Sequence, residues 1–407
     1  MRTKSPTRAR GHAILHPTRG GATLSRPHTL PKLDMAETRL QIIEPNLVGA
    51  SGHYSEFVRA VRSRADGTFS TIEVMCSREA RPGSLESMPG LRFDRRFGGH
   101  ASRLTEWTTL RECCRSGDPF LVLTAKANDA LLLAAAGAPA GGLEHARLFF
   151  HWREDSLAKV AIAQACRAVR KRALAIAPTH ATATFLRATG WARVCDVPYP
   201  AIAPEAPFPA GPLRHLLVAG AARMNKGIDL VADLAARLAR RGDGVGLLVQ
   251  TTGKRRTGGR GDRESAAIAA IGQSRIRGLR LDPRAPDRAE YAERFRGALV
   301  LTPYDPVKFA DNVSGIALDA LLHGAPVVAT AGSWQAHLVE RFGAGTVMRR
   351  WDGDSLEAAV DEARDRWGEV SAGAQRAATT LREEHDPAHL VRVLAGDTDG
   401  SLSQQYI

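Results

Sequence analysis

The sequence predicts an α/β protein built from two open, doubly wound parallel-sheet domains that face a central cleft. Three observations carry that expectation. Short apolar runs alternate with stretches of helical length, which is the rhythm of parallel βαβ units rather than of a sandwich. The rhythm restarts after a proline-rich break. The 407 residues, 44% hydrophobic and 24% charged, can bury real cores, and at about 150 residues per domain they make two or three domains. No apolar run reaches the roughly 20 residues of a membrane-spanning helix; the longest, near Ala130 to Ala140, is alanine-rich. The five cysteines show no metal-ligand spacing and only Cys113 and Cys114 lie close. A disulfide scaffold, a zinc ribbon and a metal site are therefore not expected, and the compartment reads as reducing and cytoplasmic.

Residues 1–34 form a basic leader with Arg2, Lys4, Arg8, Arg10, Arg19, Arg26 and Lys32 against Asp34. It is rich in Pro, Thr, Ser, Arg and Gly and has no secretory hydrophobic core. A disordered tail upstream of a start at Met35 competes with a surface-binding arm or a transit peptide. Much of the net charge of +13 sits there. The basic remainder favours anionic substrates or an acidic lipid surface, such as the inner face of a plasma membrane. Nucleic acid is not an expected partner, because the cations are not interleaved with stacking aromatics.

The first domain, 35–208, opens with RLQIIEP (39–45) as a buried strand, a turn NLVGASGHY (46–54) and a helix from Tyr54 to Arg64. STIEVMC (70–76), PFLVLT (119–124), RLFFH (147–151) and ALAIA (173–177) are its further strands. Six prolines between Pro198 and Pro212 fit neither element and read as a hinge. The second domain, 209–375, restarts with HLLVAG (215–220). Ile228, Val231, Leu234, Ala235 and Leu238 then recur at helical spacing. GLLVQ (246–250), LRL (279–281), ALVLT (298–302) and PVVAT (326–330) continue the sheet, with helices around Arg263–Ile271, Asp287–Arg296 and Ser314–Leu322. Residues 355–396 read as helical, broken near Gly373 and at Pro387.

Two segments carry chemistry. In GAARMNKGIDL (220–230), Arg223 and Lys226 lie between a strand and a helix start near Gly227. A helix N-terminus offers free N–H groups and partial positive charge, so two added cations build a phosphate site. In DNVSGIALDALLHGAPVVAT (311–330), Asp311 precedes a helix whose first turn holds Ser314 and Gly315, with Asp319 further in. Amides at Ser314 and Gly315 suit a second phosphate contact, and a buried Asp319 suits sugar hydroxyls. The plainer alternatives are a helix-stabilising charge at Asp311 and a solvent-facing Asp319.

These segments resemble the donor-binding domain of retaining GT-B glycosyltransferases, the family 4 group. Lys226-Gly227 matches that family's KG, DALLHGAPVVAT (319–330) matches its second motif, and Asp311 and Asp319 keep the spacing of eight, with Asp where the family has Glu. The resemblance implies the GT-B architecture, two Rossmann-like domains, with 35–208 as acceptor domain and 209–375 as donor domain. It implies that residues 376–407 hold a C-terminal helix packing back on the N-terminal domain, and a tail. It further implies that Arg223, Lys226, Ser314 and Gly315 hold the diphosphate of a nucleotide-sugar donor, Asp319 the ribose and Asp311 the donor sugar. Gly52, beside His53, and the strand-end His151 match a glycine loop and a histidine of the family's first domain. His151 and Asp311 are thus the catalytic candidates. The donor is a co-substrate, no cofactor or metal is implied, and the acceptor is a glycan, a lipid-linked glycan or another hydroxyl. Base and sugar selectivity is expected at Thr251–Arg256, Leu281–Asp282 and Tyr304–Val313. The rival expectations are a nucleotide-sugar-binding protein without turnover and a sugar-nucleotide epimerase on the same scaffold.

Overall fold

Aliphatic runs flanked by turn residues become the central strands of two parallel sheets in the computed structural model, which describes residues 38–98, 103–137, 141–154, 156–251 and 259–397. The first lobe holds β1 (Arg39–Ile43), β2 (Thr71–Ser77), β3 (Arg92–Phe97), β4 (Phe120–Val122), β5 (Ala146–Phe149), β6 (Leu174–Ala177) and β7 (Val194–Asp196). The second holds β8 (His215–Val218), β9 (Gly246–Gln250), β10 (Leu279–Asp282), β11 (Ala298–Thr302), β12 (Val327–Thr330) and β13 (Gly345–Met348). Their orders are β3-β2-β1-β4-β5-β6-β7 and β10-β9-β8-β11-β12-β13. Each lobe winds outward from its first strand and then restarts on the other side. The switch points therefore fall between β1 and β4 and between β8 and β11, which is where open sheets form ligand crevices.

Each sheet separates two apolar layers. Leu40 and Ile42 of β1 point to one core with Phe57, Val58 and Phe149, while Ile43 points to the other with Phe120 and Leu133. In the second lobe Leu217 and Val300 face Leu318 and Leu321, and Leu216 and Leu299 face Val231 and Leu234. Each such fully buried aliphatic contributes about 1.5–3 kcal/mol.

The three strands the sequence reading lacked are β3, β7 and β13, and all three lie at sheet edges. RFDRRF of β3 is largely charged, as suits an edge strand paired on one side only. The proline-rich segment does not hang free between the lobes. Ala201 N–H donates to the His385 carbonyl and Phe208 N–H to that of His323, each at 3.0 Å, and the Arg296 guanidinium lies 4.0 Å over the Phe208 ring.

The helical tail also differs from expectation. Gly373 lies inside one helix, Trp367–Glu384, which runs past residue 375 and packs Ala374, Ala377 and Leu381 on the second lobe. A Cβ on Gly373 would stand 2.0 Å from the Gly343 carbonyl oxygen, so this glycine serves a close backbone approach and not a break. After Pro387 the helix Ala388–Leu394 inserts Leu390, Val391, Val393 and Leu394 into the first lobe's core. The Arg64 guanidinium holds the Asp386 carboxylate at 2.9 Å beside this crossing. Among the described residues no helix is long and apolar enough to cross a membrane.

Candidate functional site

The carboxyl ends of β1, β5, β8 and β11 deliver their loops to one region. After β8 the chain passes Gly220, where a Cβ would stand 3.2 Å from Ile316 Cδ1 and 4.0 Å from Lys226 Nζ. The loop thus lies against the first turn of the helix Gly315–Leu322. A 3-10 turn, Met224–Lys226, closes on Gly227 at φ 70°, a left-handed conformation that favours glycine. Nor is there room for a side chain there: a Cβ would come within 2.2 Å of the Pro303 carbonyl oxygen. This backbone aims Lys226 at the site, its Nζ 5.0 Å from the Tyr304 ring centroid, and leaves Arg223 exposed beside it.

Ser314 caps the facing helix, its Oγ accepting from Ala317 N at 3.3 Å. Gly315 is exposed, with open space around it. First-turn amides have no partner inside their own helix, so this end presents N–H groups and partial positive charge next to Lys226. One turn further, Asp319 accepts a hydrogen bond from Tyr291 Oη at 2.8 Å. Burial pushes the Asp319 carboxyl up to about 6, against the lowering effect of that bond. The Tyr291 phenol rises well above its ordinary value through burial and then through Asp319.

Among the described residues two ion pairs join the lobes here. Arg153, in the loop after β5, holds the Asp311 carboxylate at 2.9 Å, and Arg288 meets Glu56 at 3.4 Å. The Thr179 hydroxyl lies 3.4 Å from the Asp311 carbonyl oxygen.

From the first lobe, Gly52 stands exposed at φ 98° as the N-cap of the helix His53–Ser63. Burial, and then the charges of Lys226 and Arg223 in the other lobe, hold the His53 imidazole below its ordinary pKa. His151 sits behind it, the two ring centroids 6.5 Å apart. Its Nε2 is 2.9 Å from the Leu123 carbonyl oxygen. A carbonyl only accepts, so Nε2 carries the proton and Nδ1 is left as an acceptor. Phe149, Phe57 and Tyr199 surround the ring. Burial, then His53, drives its pKa down to about 3, so His151 is neutral at physiological pH and is no proton donor in its imidazolium form.

No protein-family model and no curated protein sequence matches the chain. Solved structures do match it. Sucrose-phosphate synthase from Thermosynechococcus elongatus superposes with a TM-score of 0.64 at 14% identity, covering 88% of this chain and 96% of that one. Anabaena HepE in complex with UDP and glucose gives 0.64 at 14%, covering 90% and 100%. WaaG, a glycosyltransferase involved in lipopolysaccharide biosynthesis, gives 0.62 at 14%, covering 88% and 100%. The likeness spans both lobes. The chain has the GT-B fold. At this identity the likeness is one of architecture.

Within the GT-B crevice, the predicted residues fall into three groups. Lys226 meets the helix end at Ser314 and Gly315, Arg223 lies exposed on the same loop, and Gly52 stands beside His53 on the first lobe. Asp319 lies deeper with Tyr291. Asp311 is held by Arg153, and His151 stands in a second layer behind His53. Tyr304, expected among the selectivity positions, lies against Lys226, whereas Tyr291, Arg153 and the Arg288–Glu56 pair were not singled out from the sequence. Tyr291 belongs to no motif, and its role appears only when its helix packs beside Asp319. Arg153 had one signal, its place two residues after the strand-end His151. Asp282, expected among the selectivity positions, is instead buried in an ion pair with Arg294 at 2.6 Å. Residues 252–256 of the expected selectivity loop lie outside the described residues.

Proposed function

We propose that this protein transfers a sugar from a nucleoside-diphosphate sugar to a hydroxyl on a polysaccharide, a glycolipid or another acceptor, with retention at the anomeric carbon. The observation that carries this reading is the meeting of Lys226 with the N-terminus of the helix Gly315–Leu322 at the β8–β11 switch point, with Arg223 exposed on the same loop. Likeness to HepE, solved with UDP and glucose, supports a donor of that class.

Breaking the bond between the anomeric carbon and the diphosphate leaves an oxocarbenium-like sugar and growing charge on the leaving phosphate. Lys226, Arg223 and the first-turn amides stabilise that charge from fixed positions, with little reorganisation as it develops. The leaving phosphate oxygen takes the acceptor's proton while the acceptor oxygen bonds the anomeric carbon on the same face. Asp319, oriented by Tyr291, grips the ribose hydroxyls. Asp311 grips the donor sugar once Arg153 releases it, and His151 Nδ1 accepts from a sugar or acceptor hydroxyl. The donor lies between the lobes, the second holding the diphosphate and the first lending His53 and His151.

Incubation with a panel of nucleotide sugars and acceptors tests the reading. Release of nucleoside diphosphate with a glycosylated product supports transfer. An altered sugar on an intact nucleotide indicates an epimerase, and a raised melting temperature without turnover indicates a binding protein. Lys226→Ala and Arg223→Ala should each weaken donor binding by about 1–3 kcal/mol through lost charge-assisted contacts, read by calorimetric titration. Unchanged affinity in both variants removes the diphosphate assignment.

A further inference from the structure

A carboxylate that takes no part in the chemistry above lies inside the first lobe's wall of the crevice. Glu44 follows β1 directly, at the switch point between β1 and β4, and its side chain is fully buried. The shared topology does not call for an acid there, since the second lobe follows its own first strand with Ala219. Burying a carboxylate is expensive unless hydrogen bonds meet its oxygens. Here both are met. Oε1 accepts from the Asn46 backbone N–H at 2.9 Å and from Asn46 Nδ2 at 3.0 Å, and Oε2 accepts from the Thr124 hydroxyl. Burial raises the Glu44 carboxyl, and these bonds act against the rise.

The bonds tie together two segments far apart in sequence. Asn46 opens the loop that ends at Gly52 and delivers His53 as the first residue of the helix His53–Ser63. Leu47 N–H donates to the Glu44 carbonyl at 3.1 Å and Ser77 N–H to the Leu47 carbonyl at 3.2 Å, so the start of that loop has a fixed path. Thr124 lies just past β4, beside Leu123, whose carbonyl holds the His151 Nε2–H. One side chain thus joins the strand end that fixes His151 to the loop that leads to His53. A buried polar network with every member satisfied rigidifies the segments it joins. We propose that Glu44 is a positioning residue: it clamps the loop after β1 to the end of β4 and so fixes His53 against His151 in the substrate-free chain. Its effect on sugar transfer rests on the function proposed above, and the clamp itself does not.

Burial, Lys226 and Arg223 act on the His53 imidazole, and Glu44 is not among those influences. A changed His53 titration on altering Glu44 therefore reports displacement and not lost charge. The test is an NMR titration of the histidine ring signals in the folded, substrate-free chain, with His53 assigned by comparison with His53→Gln. Glu44→Ala breaks all three bonds, and Thr124→Val breaks only the link to β4. In each, the His53 midpoint rises toward that of an exposed histidine, because the freed loop releases the ring to water. Glu44→Gln keeps the wild-type midpoint, since its carbonyl oxygen serves Asn46 and its amide donates to the Thr124 hydroxyl, which can accept. If Glu44→Ala does not fold, Thr124→Val carries the test. A folded Thr124→Val with an unmoved His53 midpoint overturns the proposal, and a lower urea midpoint beside it leaves Glu44 a residue of stability alone. A Glu44→Gln that behaves like Glu44→Ala also overturns it, making charge the agent in place of the clamp. Moved midpoints in a chain that transfers no sugar sink the proposed function and leave the clamp standing.

Discussion

The two lobes share a topology but build their halves of the crevice differently. The second lobe makes its half from backbone. Gly220 and Gly227 force the path of a loop, a capped helix end faces it, and Lys226 follows from that path. The first lobe makes its half from packing: His151 is fixed by Phe149, Phe57, Tyr199 and the Leu123 carbonyl, groups drawn from all over the lobe. A site made from backbone is local in the chain, whereas a site made from packing is not.

Glycine substitution gives the largest expected contrast. Gly227→Ala adds left-handed strain to a collision with the Pro303 carbonyl, a cost of roughly 3 kcal/mol or more. Gly52→Ala meets strain alone, because nothing lies within 4 Å of the added carbon, and should cost about 1–2 kcal/mol. Urea denaturation of both variants checks this, and equal losses would erase the contrast.

Titration separates the lobes next. The folded chain holds a proton on Asp319 up to about 6, whereas an exposed Asp loses it near ~3.9. This group therefore makes stability fall as pH rises from ~4 to 6, by roughly 2–3 kcal/mol, and stay lower above that. His151 works in the opposite sense. Folded, it refuses a proton until about pH 3, whereas unfolded it takes one near ~6.5, so stability falls as the pH drops below ~6.5. Asp319→Asn should remove the fall between pH ~4 and 6, and His151→Gln should flatten the acid limb, in urea midpoints measured across pH 4 to 8. The same slope change in both variants would contradict this assignment.

The smallest effect belongs to Tyr291→Phe. Loss of its bond to Asp319 should cost about 1 kcal/mol. It should also raise the Asp319 carboxyl further, because that bond holds it down. A higher donor KM, with the acid limb of the pH profile moved upward, is the expected readout. A change in kcat alone would place Tyr291 elsewhere in the reaction.

The same division explains what the sequence disclosed. Central strands such as ALVLT are buried throughout and read as continuous apolar runs, so the parallel sheets were legible. Edge strands β3, β7 and β13 were not, because short or charged segments carry little period. The cation loop and the Ser314-capped helix were legible as spacing, since each lies within a dozen residues. The partners of Asp311 and Asp319 were not, because Arg153 and Tyr291 reach them only through the docking of distant helices and loops. Gly373 misled for a related reason: a helix breaker by composition, it is retained where two backbones touch.

The insertion of Leu390 to Leu394 among Phe57, Val58 and Cys195 has a bearing on biosynthesis. During translation the first lobe emerges early, yet its hydrophobic interior stays open until the whole second lobe has left the ribosome. The newborn chain must tolerate that gap until the helix Ala388–Leu394 arrives to fill it.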